Sequence, residues 1–219
     1  MFIGVGGAPK MPPKGASGIM RADSKRAPLR LAIYFGTVSK PSHFLFDFFS
    51  NLLYNFYRKG DDIMPILYIM CGPSGCGKTT YIKNSDILAH CIHVSRDEIR
   101  YSLLKEEEDY FSHEKEVFRL FVKTIVDRMK EGYDVIADAT HLNQFSRRKL
   151  TQAIDMYTTD YKIIYVVFDV SADTCVIRNA NRTGRANVPE NVIRNMCRDF
   201  RAPTKDEDER VIDIIEVGE

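Results

Sequence analysis

From Met64 onward, hydrophobic and polar positions follow two alternating periods. Short continuous apolar runs, rich in β-branched side chains, are typical of strands buried on both faces of a parallel sheet. Between them lie segments with the spacing of amphipathic helices. The alternation predicts an α/β fold with a parallel sheet of about five strands and helices on both faces. The predicted strands lie at 66–71, 91–94, 134–138, 161–170 and 211–217.

Capping residues and glycines locate the predicted helices. Ser95 stands three positions before Glu98, which is the spacing of a capping box. Ser112 is the predicted N-cap of a longer helix that stops at Gly132. That helix has a predicted apolar face of Val117, Leu120, Phe121, Thr124, Ile125 and Met129. The first predicted helix opens at 78–83. The others extend over 95–104, 112–131, 144–157, 171–179 and 189–200.

A glycine-rich segment follows the first predicted strand and opens the first helix. It has the pattern G-x-x-x-x-G-K-T, in which the glycines permit a tight turn with inward-facing amides. Those amides and the start of the helix can bind phosphate oxygens. Lys78 can reach the β- and γ-phosphates, and the Thr79 hydroxyl can hold Mg²⁺. The predicted ATP-binding residues are Gly72, Pro73, Ser74, Gly75, Cys76, Gly77, Lys78, Thr79 and Thr80, with Mg²⁺ on Thr79.

Two acidic segments end strands at the carboxyl edge of the predicted sheet, where such folds bind ligands. Asp97 and Arg100 are three positions apart at a helix start and share one face. Asp97 can accept the proton of an attacking hydroxyl, and Arg100 can hold an anionic group of the acceptor. The alternative is an ordinary helix N-terminus with a solvated arginine. Asp138 closes the third strand, where it can bind Mg²⁺, its water or an arginine.

A polar loop with arginines joins two predicted helices. We call residues 180–188 the lid, because an arginine that closes over the γ-phosphate would stabilise the charge of the transition state. Arg182 and Arg185 flank Gly184 within it, and Arg178 precedes it. A solvated basic loop is the alternative interpretation.

The order of these segments resembles a known family. The sequences G-P-S-G-C-G-K-T, S-R-D-E-I-R, D-A-T-H-L-N and R-N-A-N-R-T-G-R-A-N-V-P are similar to the 5′-kinase domain of phage-type polynucleotide kinase. More broadly they resemble the small P-loop kinases that include the zeta-toxin-like group. The resemblance spans about residues 66–200, and the phosphatase motif D-x-D-G-T/S of the full phage enzyme is absent.

The resemblance implies a P-loop NTPase-type fold and ATP-dependent phosphorylation of a 5′-hydroxyl on RNA or DNA. It implies that Asp97 is the general base, Arg100 the acceptor-binding arginine and Asp138 an essential strand-end acid. It also implies that Arg182 is the lid arginine and Arg178 a second lid contact with ATP. Lys78 would serve ATP, and Thr79 would serve Mg²⁺. Further candidates to line the acceptor channel are Tyr101, His141, Arg147 and Arg148.

Charge leaves two alternatives to a nucleic-acid kinase. Residues 64–219 carry 22 Lys and Arg against 26 Asp and Glu, a balance that argues against a long electrostatic track for nucleic acid. A kinase for a small-molecule hydroxyl would use the same chemistry. An ATP-binding switch or ATPase would bind nucleotide without an acceptor. The oligomeric state stays open.

Cysteine usage and hydropathy indicate a cytoplasmic protein. The number of cysteines is five, which is odd, and no two of them form a C-x-x-C motif. This usage is typical of a protein in a reducing compartment. His90, Cys91 and His93 are expected to be strand residues and not metal ligands. Cys76 is either a redox-sensitive thiol or a small filler residue. No stretch is long and apolar enough to span a bilayer.

The first part of the chain differs in composition from the predicted kinase domain at 64–219. Residues 1–42 are rich in Gly, Pro, Ser, Lys and Arg and are expected to be poorly ordered. Residues 43–57 have a polar helical face among aromatics, which fits a membrane-interfacial helix, an oligomer contact or a packed extension. Codons for Lys59-Gly60 resemble a ribosome-binding sequence, so residues 1–63 are also interpretable as an over-extension before a start at Met64.

Overall fold

Five apolar segments form one all-parallel sheet in the computed structural model, which describes residues 64–218. The strands are β1 (Ile66–Cys71), β2 (Ile92–Ser95), β3 (Val135–Asp138), β4 (Lys162–Phe168) and β5 (Val211–Val217). Their spatial order is β2–β3–β1–β4–β5. The predicted fold class, a P-loop NTPase-type parallel sheet of five strands, is confirmed. The central β1 is buried along its whole length, as its uninterrupted apolar sequence requires.

Helices cover both faces of this sheet. They are α1 (Lys78–Asn84), α2 (Arg96–Leu103), α3 (Glu114–Lys130), α4 (Gln144–Asp155), α5 (Ala172–Ala180) and α6 (Glu190–Asp199). Short 3₁₀ turns lie at Gly184–Ala186 and Lys205–Glu207. One core lies on the side of α3 and α4, where Phe121, Ile125 and Leu150 pack on the sheet. The other core includes Cys175 of α5 and Ile193 of α6.

A buried aspartate aligns the beginnings of three strands. The Asp134 carboxylate accepts a hydrogen bond from the Ile66 amide at 2.9 Å, and its carbonyl accepts one from the Ile92 amide at 2.8 Å. Ser95 then stands opposite Asp138 in the parallel register of β2 and β3. The ends of β1, β2 and β3 therefore meet at one edge of the sheet.

Several predicted boundaries shift in the structure. The N-cap of α3 is His113 and not Ser112, and His113 makes no side-chain capping bond. A reciprocal capping box forms instead at Asn143 and Ser146, at the start of α4. His90 and Cys91 lie in the turn before β2 and not in the strand.

The apolar face of α3 is wider than predicted. Val122 and Val126 are buried, whereas Leu120 and Thr124 are only partly buried. The reason is that α3 packs on β2 and β3 and also touches α2 and α4, so its buried surface extends around the helix.

Two sequence-based predictions lie outside the described residues: the N-terminal extension at 1–63 and its helix at 43–57. None of the helices between residues 64 and 218 is long and apolar enough to cross a membrane.

Candidate active site

The loop after β1 is held in a narrow turn by its glycines. Gly75 and Gly77 adopt left-handed backbone angles, with φ of +84° and +108°. A Cβ at Gly75 would lie 2.4 Å from the carbonyl oxygen of Cys175 in α5, so only glycine fits against that helix. Cys76 is buried inside the turn, where it fills space beside Gly72. The loop geometry thus depends on close contact with α5.

Lys78 folds back across its own loop. Its ammonium donates to the carbonyl oxygens of Gly72 at 2.9 Å and Pro73 at 2.7 Å. The positive charge is therefore fixed at the loop that the sequence predicts to bind phosphate. Thr79 is exposed in the first turn of α1. Within residues 64–218 no group of three or more His, Cys, Asp and Glu side chains is placed to hold a metal ion.

Two predicted arginines reach this loop from α5 and the lid. Arg178 donates to the carbonyl oxygen of Cys76 at 3.1 Å, and Arg182 donates to the Ser74 hydroxyl at 3.4 Å. The structure therefore brings together Lys78, Arg178 and Arg182, which are up to 104 positions apart by residue number.

The lid is anchored at its base by one buried amide. The Asn179 side chain donates to the Asn187 side chain and to the Val188 carbonyl, both at 2.8 Å. Its oxygen accepts a bond from the Val188 amide at 3.1 Å. Asn179 is buried, so these bonds are shielded from water and fix the two ends of the lid relative to each other.

The predicted acid and arginine of α2 are in direct contact. Ser95 caps α2 by accepting a bond from the Glu98 amide, which sets Asp97 in the first turn. Arg100 donates to the Asp97 carboxylate through Nη1 and to Glu114 through Nη2 at 2.8 Å. The Asp97 side chain remains 64% exposed, whereas that of Arg100 is only 6% exposed. The carboxylate is thus open to a ligand, whereas the guanidinium is enclosed by protein. The predicted contact of Arg100 with an anionic group of the acceptor would require its present bonds to be exchanged, and it stays a prediction.

Glu114, at the start of α3, binds two arginines. Its second oxygen accepts a bond from Arg96, which also lies over the Phe118 ring. Burial pushes the pKa of Glu114 upward, but the bonds to Arg100 and the charge of Arg96 outweigh it and lower that pKa. Burial likewise opposes the charge of Arg100, and its bond to Glu114 raises the Arg100 pKa. Both side chains are therefore held in their charged forms.

Tyr110 completes this cluster. Its hydroxyl donates to Oδ1 of Asp97 at 2.9 Å and accepts from Nη1 of Arg100 at 2.9 Å. The Arg100 guanidinium stacks over the tyrosine ring at 4.5 Å. Burial, followed by the charge of Asp97, raises the pKa of Tyr110, so its proton stays on the phenol.

Asp138 is held by a histidine of the neighbouring strand. The parallel register places His93 beside β3, and its Nε2 lies 3.0 Å from Oδ2 of Asp138. The hydrogen bond to Asp138 raises the pKa of His93 against the opposing effect of burial. His93 is thus a partner of the strand-end acid, a contact that no sequence motif predicted.

Two of the four suggested acceptor-channel residues lie in the interior. Arg147 is buried and forms an ion pair with Glu207, with Nη2 and Oε1 2.6 Å apart. His141 is buried beside Phe121, and burial lowers the pKa of His141 to about 3. Neither side chain can line an open channel in this arrangement, so that expectation is wrong for both. Tyr101 and Arg148 are exposed, and their role stays a prediction.

Tyr110 and Glu114 also contribute to this edge, although no sequence motif pointed to them, and Arg185 of the predicted lid makes contacts there that its sequence did not predict. Arg185 in the lid donates to the carbonyl oxygens of Lys105 and Glu106 at 3.1 and 2.5 Å. Tyr110 and Glu114 carry no motif of their own, and an acid in the first turn of a helix is common. One sequence signal could have pointed to Tyr110. It stands next to Phe111, just before the helix that follows the Asp97 segment.

Comparison with known proteins identifies the family and the fold. Residues 67–203 match the family model AAA_33, which is described as an AAA domain. A chain of the Pnkp1/Rnl/Hen1 RNA repair complex aligns with a TM-score of 0.50 and 22% identity over 65% of this chain. The alignment covers 46% of that chain, so the present chain spans less than half of its length. A putative kinase from Chloroflexus aurantiacus aligns with a TM-score of 0.51 and 15% identity, over 73% of this chain and 87% of that one.

The match to the family model covers more than half of the sequence, and the structural matches agree with the parallel sheet described above. The resemblance to small P-loop kinases is therefore confirmed at the level of family and fold. The chain belongs to the AAA domain family, and its fold is that of the P-loop kinases.

Proposed function

We propose that this protein transfers the γ-phosphoryl group of ATP to a hydroxyl acceptor, and that the acceptor is the 5′-hydroxyl of RNA or DNA. One observation carries the proposal: the ends of β1, β2 and β3 bring the phosphate loop, Asp97 and Asp138 to the same edge of the sheet. A direct bond from the Gly72 amide to the Thr140 carbonyl, at 2.8 Å, joins the first of these segments to the loop after β3.

The donor half of the site consists of the loop and two arginines. Backbone amides of residues 74–79 would bind the β- and γ-phosphates, and Lys78 would exchange its bonds to Gly72 and Pro73 for phosphate oxygens. Arg182 would neutralise charge that develops on the transferred group, and its bond to the Ser74 hydroxyl supports this role.

The exposed Thr79 hydroxyl fits a Mg²⁺ ion that is bound mainly by phosphates and water, the usual mode for this ion. Such an ion would supply charge neutralisation at the phosphates.

The acceptor half of the site is the exposed carboxylate of Asp97. The acceptor oxygen would form a bond to the γ-phosphorus as the bond between that phosphorus and the β–γ bridging oxygen breaks. The hydroxyl proton would move to Asp97, and ADP would leave with the electron pair. Asp138 would orient the reacting groups from β3, with His93 holding its carboxylate in place.

A nucleic-acid acceptor is favoured by the motif order and by the shared fold with a chain of an RNA repair complex. A second candidate is a small-molecule hydroxyl. The excess of acidic over basic residues in 64–219 favours that candidate, because it disfavours a long contact with a phosphate backbone.

A panel of acceptors with γ-labelled ATP tests the proposal on the full chain. We expect label on 5′-hydroxyl oligonucleotides and none on the same oligonucleotides that already carry a 5′-phosphate. Asp97→Asn should reduce transfer at least about 100-fold, within the range for loss of a general base, and leave ATP affinity unchanged.

Asp160→Asn is the matched control, since Asp160 is an exposed residue before β4, at the opposite edge of the sheet. Label on a metabolite and on no oligonucleotide would reject the nucleic-acid acceptor. Full transfer by Asp97→Asn would reject the assigned base. Binding of ATP with no transfer to any acceptor would favour a nucleotide-dependent switch.

A further inference from the structure

One loop touches both halves of the proposed site. The α2–α3 loop, residues 104–113, follows the helix that carries Asp97 and Arg100. Near its end, Tyr110 contacts Asp97, and near its beginning, backbone carbonyls accept bonds from the lid. The loop contains none of the motifs that predicted the site.

The contact with Tyr110 restricts the Asp97 carboxylate. Both Tyr110 and Arg100 bind its Oδ1 atom, so this oxygen is occupied and the plane of the carboxylate is set. Its other oxygen has no partner among these groups, and the side chain is 64% exposed. An exposed aspartate in a first helical turn would otherwise sample several rotamers. Tyr110 therefore directs one defined oxygen outward.

Tyr110 is itself held by its surroundings. Its ring lies under the Arg100 guanidinium at 4.5 Å and packs edge-on against Phe111 at 4.9 Å and Tyr101 at 6.2 Å. These contacts hold the tyrosine hydroxyl in one position, from which it can orient the carboxylate.

The lid reaches the same loop through Arg185. Its Nη2 group donates to the carbonyl oxygens of Lys105, Glu106 and Glu108, at 3.1, 2.5 and 3.4 Å. One charged group shared among three carbonyls fixes the position of the turn that they form. The base of the lid is anchored by Asn179, so the position of the loop depends on that of the lid.

We propose that Tyr110 and Arg185 are positioning residues for the transfer reaction. Tyr110 orients the carboxylate of Asp97. Arg185 holds the α2–α3 loop in place, so that the Tyr110 hydroxyl stays within hydrogen-bond distance of that carboxylate. The arrangement of the lid over the nucleotide is thereby coupled to the orientation of the base. This inference rests on the proposed function of Asp97, and it assigns a role to Tyr110, which lies outside the recognised motifs, and to Arg185, a further arginine of the lid.

The Tyr110→Phe variant separates orientation from packing, because it keeps the ring and removes only the hydroxyl. We expect kcat to fall on the order of tenfold, since misplacement of a catalytic group by about 1 Å costs up to about 100-fold. The KM for ATP should not change, because the phosphate loop is untouched. The melting temperature should fall by only about 1–6 °C, since loss of one hydroxyl and its bonds costs about 0.5–1.5 kcal/mol. Tyr133→Phe is the control: Tyr133 is exposed and follows the other end of α3, about 25 Å along the helix.

Arg185→Gln tests the second half of the proposal and does not threaten the fold, since Arg185 is exposed. It should lower kcat on the order of threefold to tenfold by itself and have no further effect in the Tyr110→Phe background. Equal effects of Arg185→Gln in both backgrounds would overturn the coupling. An unchanged kcat for Tyr110→Phe would overturn the positioning role.

Asp97→Asn, measured beside these variants, distinguishes a failure of the proposed function from a failure of the positioning role. If Asp97→Asn retains full transfer, the proposed function of Asp97 has failed. If only Tyr110→Phe behaves as wild type, the proposed function stands and the positioning role does not.

Discussion

Replacement of Arg147 by methionine should destabilise the protein and leave the KM for the acceptor unchanged. Arg147 and Glu207 have side chains only 1% and 7% exposed, and two hydrogen bonds of 2.8 and 2.6 Å join them. Arg147 also donates to the carbonyl oxygens of His141 and Arg201, at 3.1 and 3.0 Å. Methionine would leave one buried carboxylate and two carbonyls without this partner.

The expected loss follows from these contacts. Removal of one partner of a buried ion pair costs about 3–5 kcal/mol, because the remaining charge is left in a poorly solvated place. For a domain of this size, that loss corresponds to a fall in melting temperature of about 6–20 °C. Urea unfolding of the full chain, followed by circular dichroism, measures the free energy directly.

Two further variants make the experiment specific. Lys123→Met removes an exposed pair with Asp127 on α3 and should cost only about 0.3–0.5 kcal/mol. Arg147→Met combined with Glu207→Leu should recover part of the loss, since no charge then remains buried. A change in stability of less than about 1 kcal/mol for Arg147→Met, the level of an exposed pair, together with a raised KM for the acceptor would contradict the buried ion pair. That result would return Arg147 to the acceptor channel.

Two other predictions concern the loop and a buried histidine. Gly75→Ala should abolish ATP binding in calorimetry, because its Cβ would lie 2.4 Å from a backbone oxygen of α5. Gly132→Ala is the control and should bind ATP normally, since Gly132 has a similar φ of +86° but open space around it. Normal binding by both would contradict the close packing of the loop. His141 has a pKa of about 3 in the folded protein, so only the unfolded chain takes up its proton as pH falls below about 6.5. The stability supplied by neutral His141 is thus present above that pH, and the wild type should lose about 2 kcal/mol more than His141→Asn between pH 7 and pH 5 in urea unfolding. Parallel pH profiles for the two proteins would show that His141 is not buried as described.

The variants of Asp97 and Tyr110 described above extend these tests from stability to chemistry. Together they separate a nucleotide-binding fold from a working phosphotransferase. The decisive comparison is between loss of transfer and retention of ATP binding in the same protein sample.

Local patterns were sufficient to predict the sheet, the phosphate loop and the positions of Asp97 and Asp138. A strand buried on both faces needs a continuous apolar run, and a tight phosphate-binding turn needs glycines at set intervals, so both leave a mark within a few residues. The same logic located α2 through Ser95, whose side chain does cap it. It failed at Ser112, because His113 stands at the start of α3 in a backbone geometry with no side-chain cap.

Only the tertiary structure decided which partners the charged side chains have. Arg100 and Arg147 look alike in sequence, yet one lies beside Asp97 and the other is enclosed with Glu207, 60 positions away. His93 meets Asp138 across 45 positions because two parallel strands share a register. Arg185 meets the α2–α3 loop about 80 positions away because the lid folds over it. The sequence by itself determined the strands, the turn and their order, since these depend on neighbours along the chain. The partners of the charges depend on distances in space, which the packing of the helices on the sheet alone establishes.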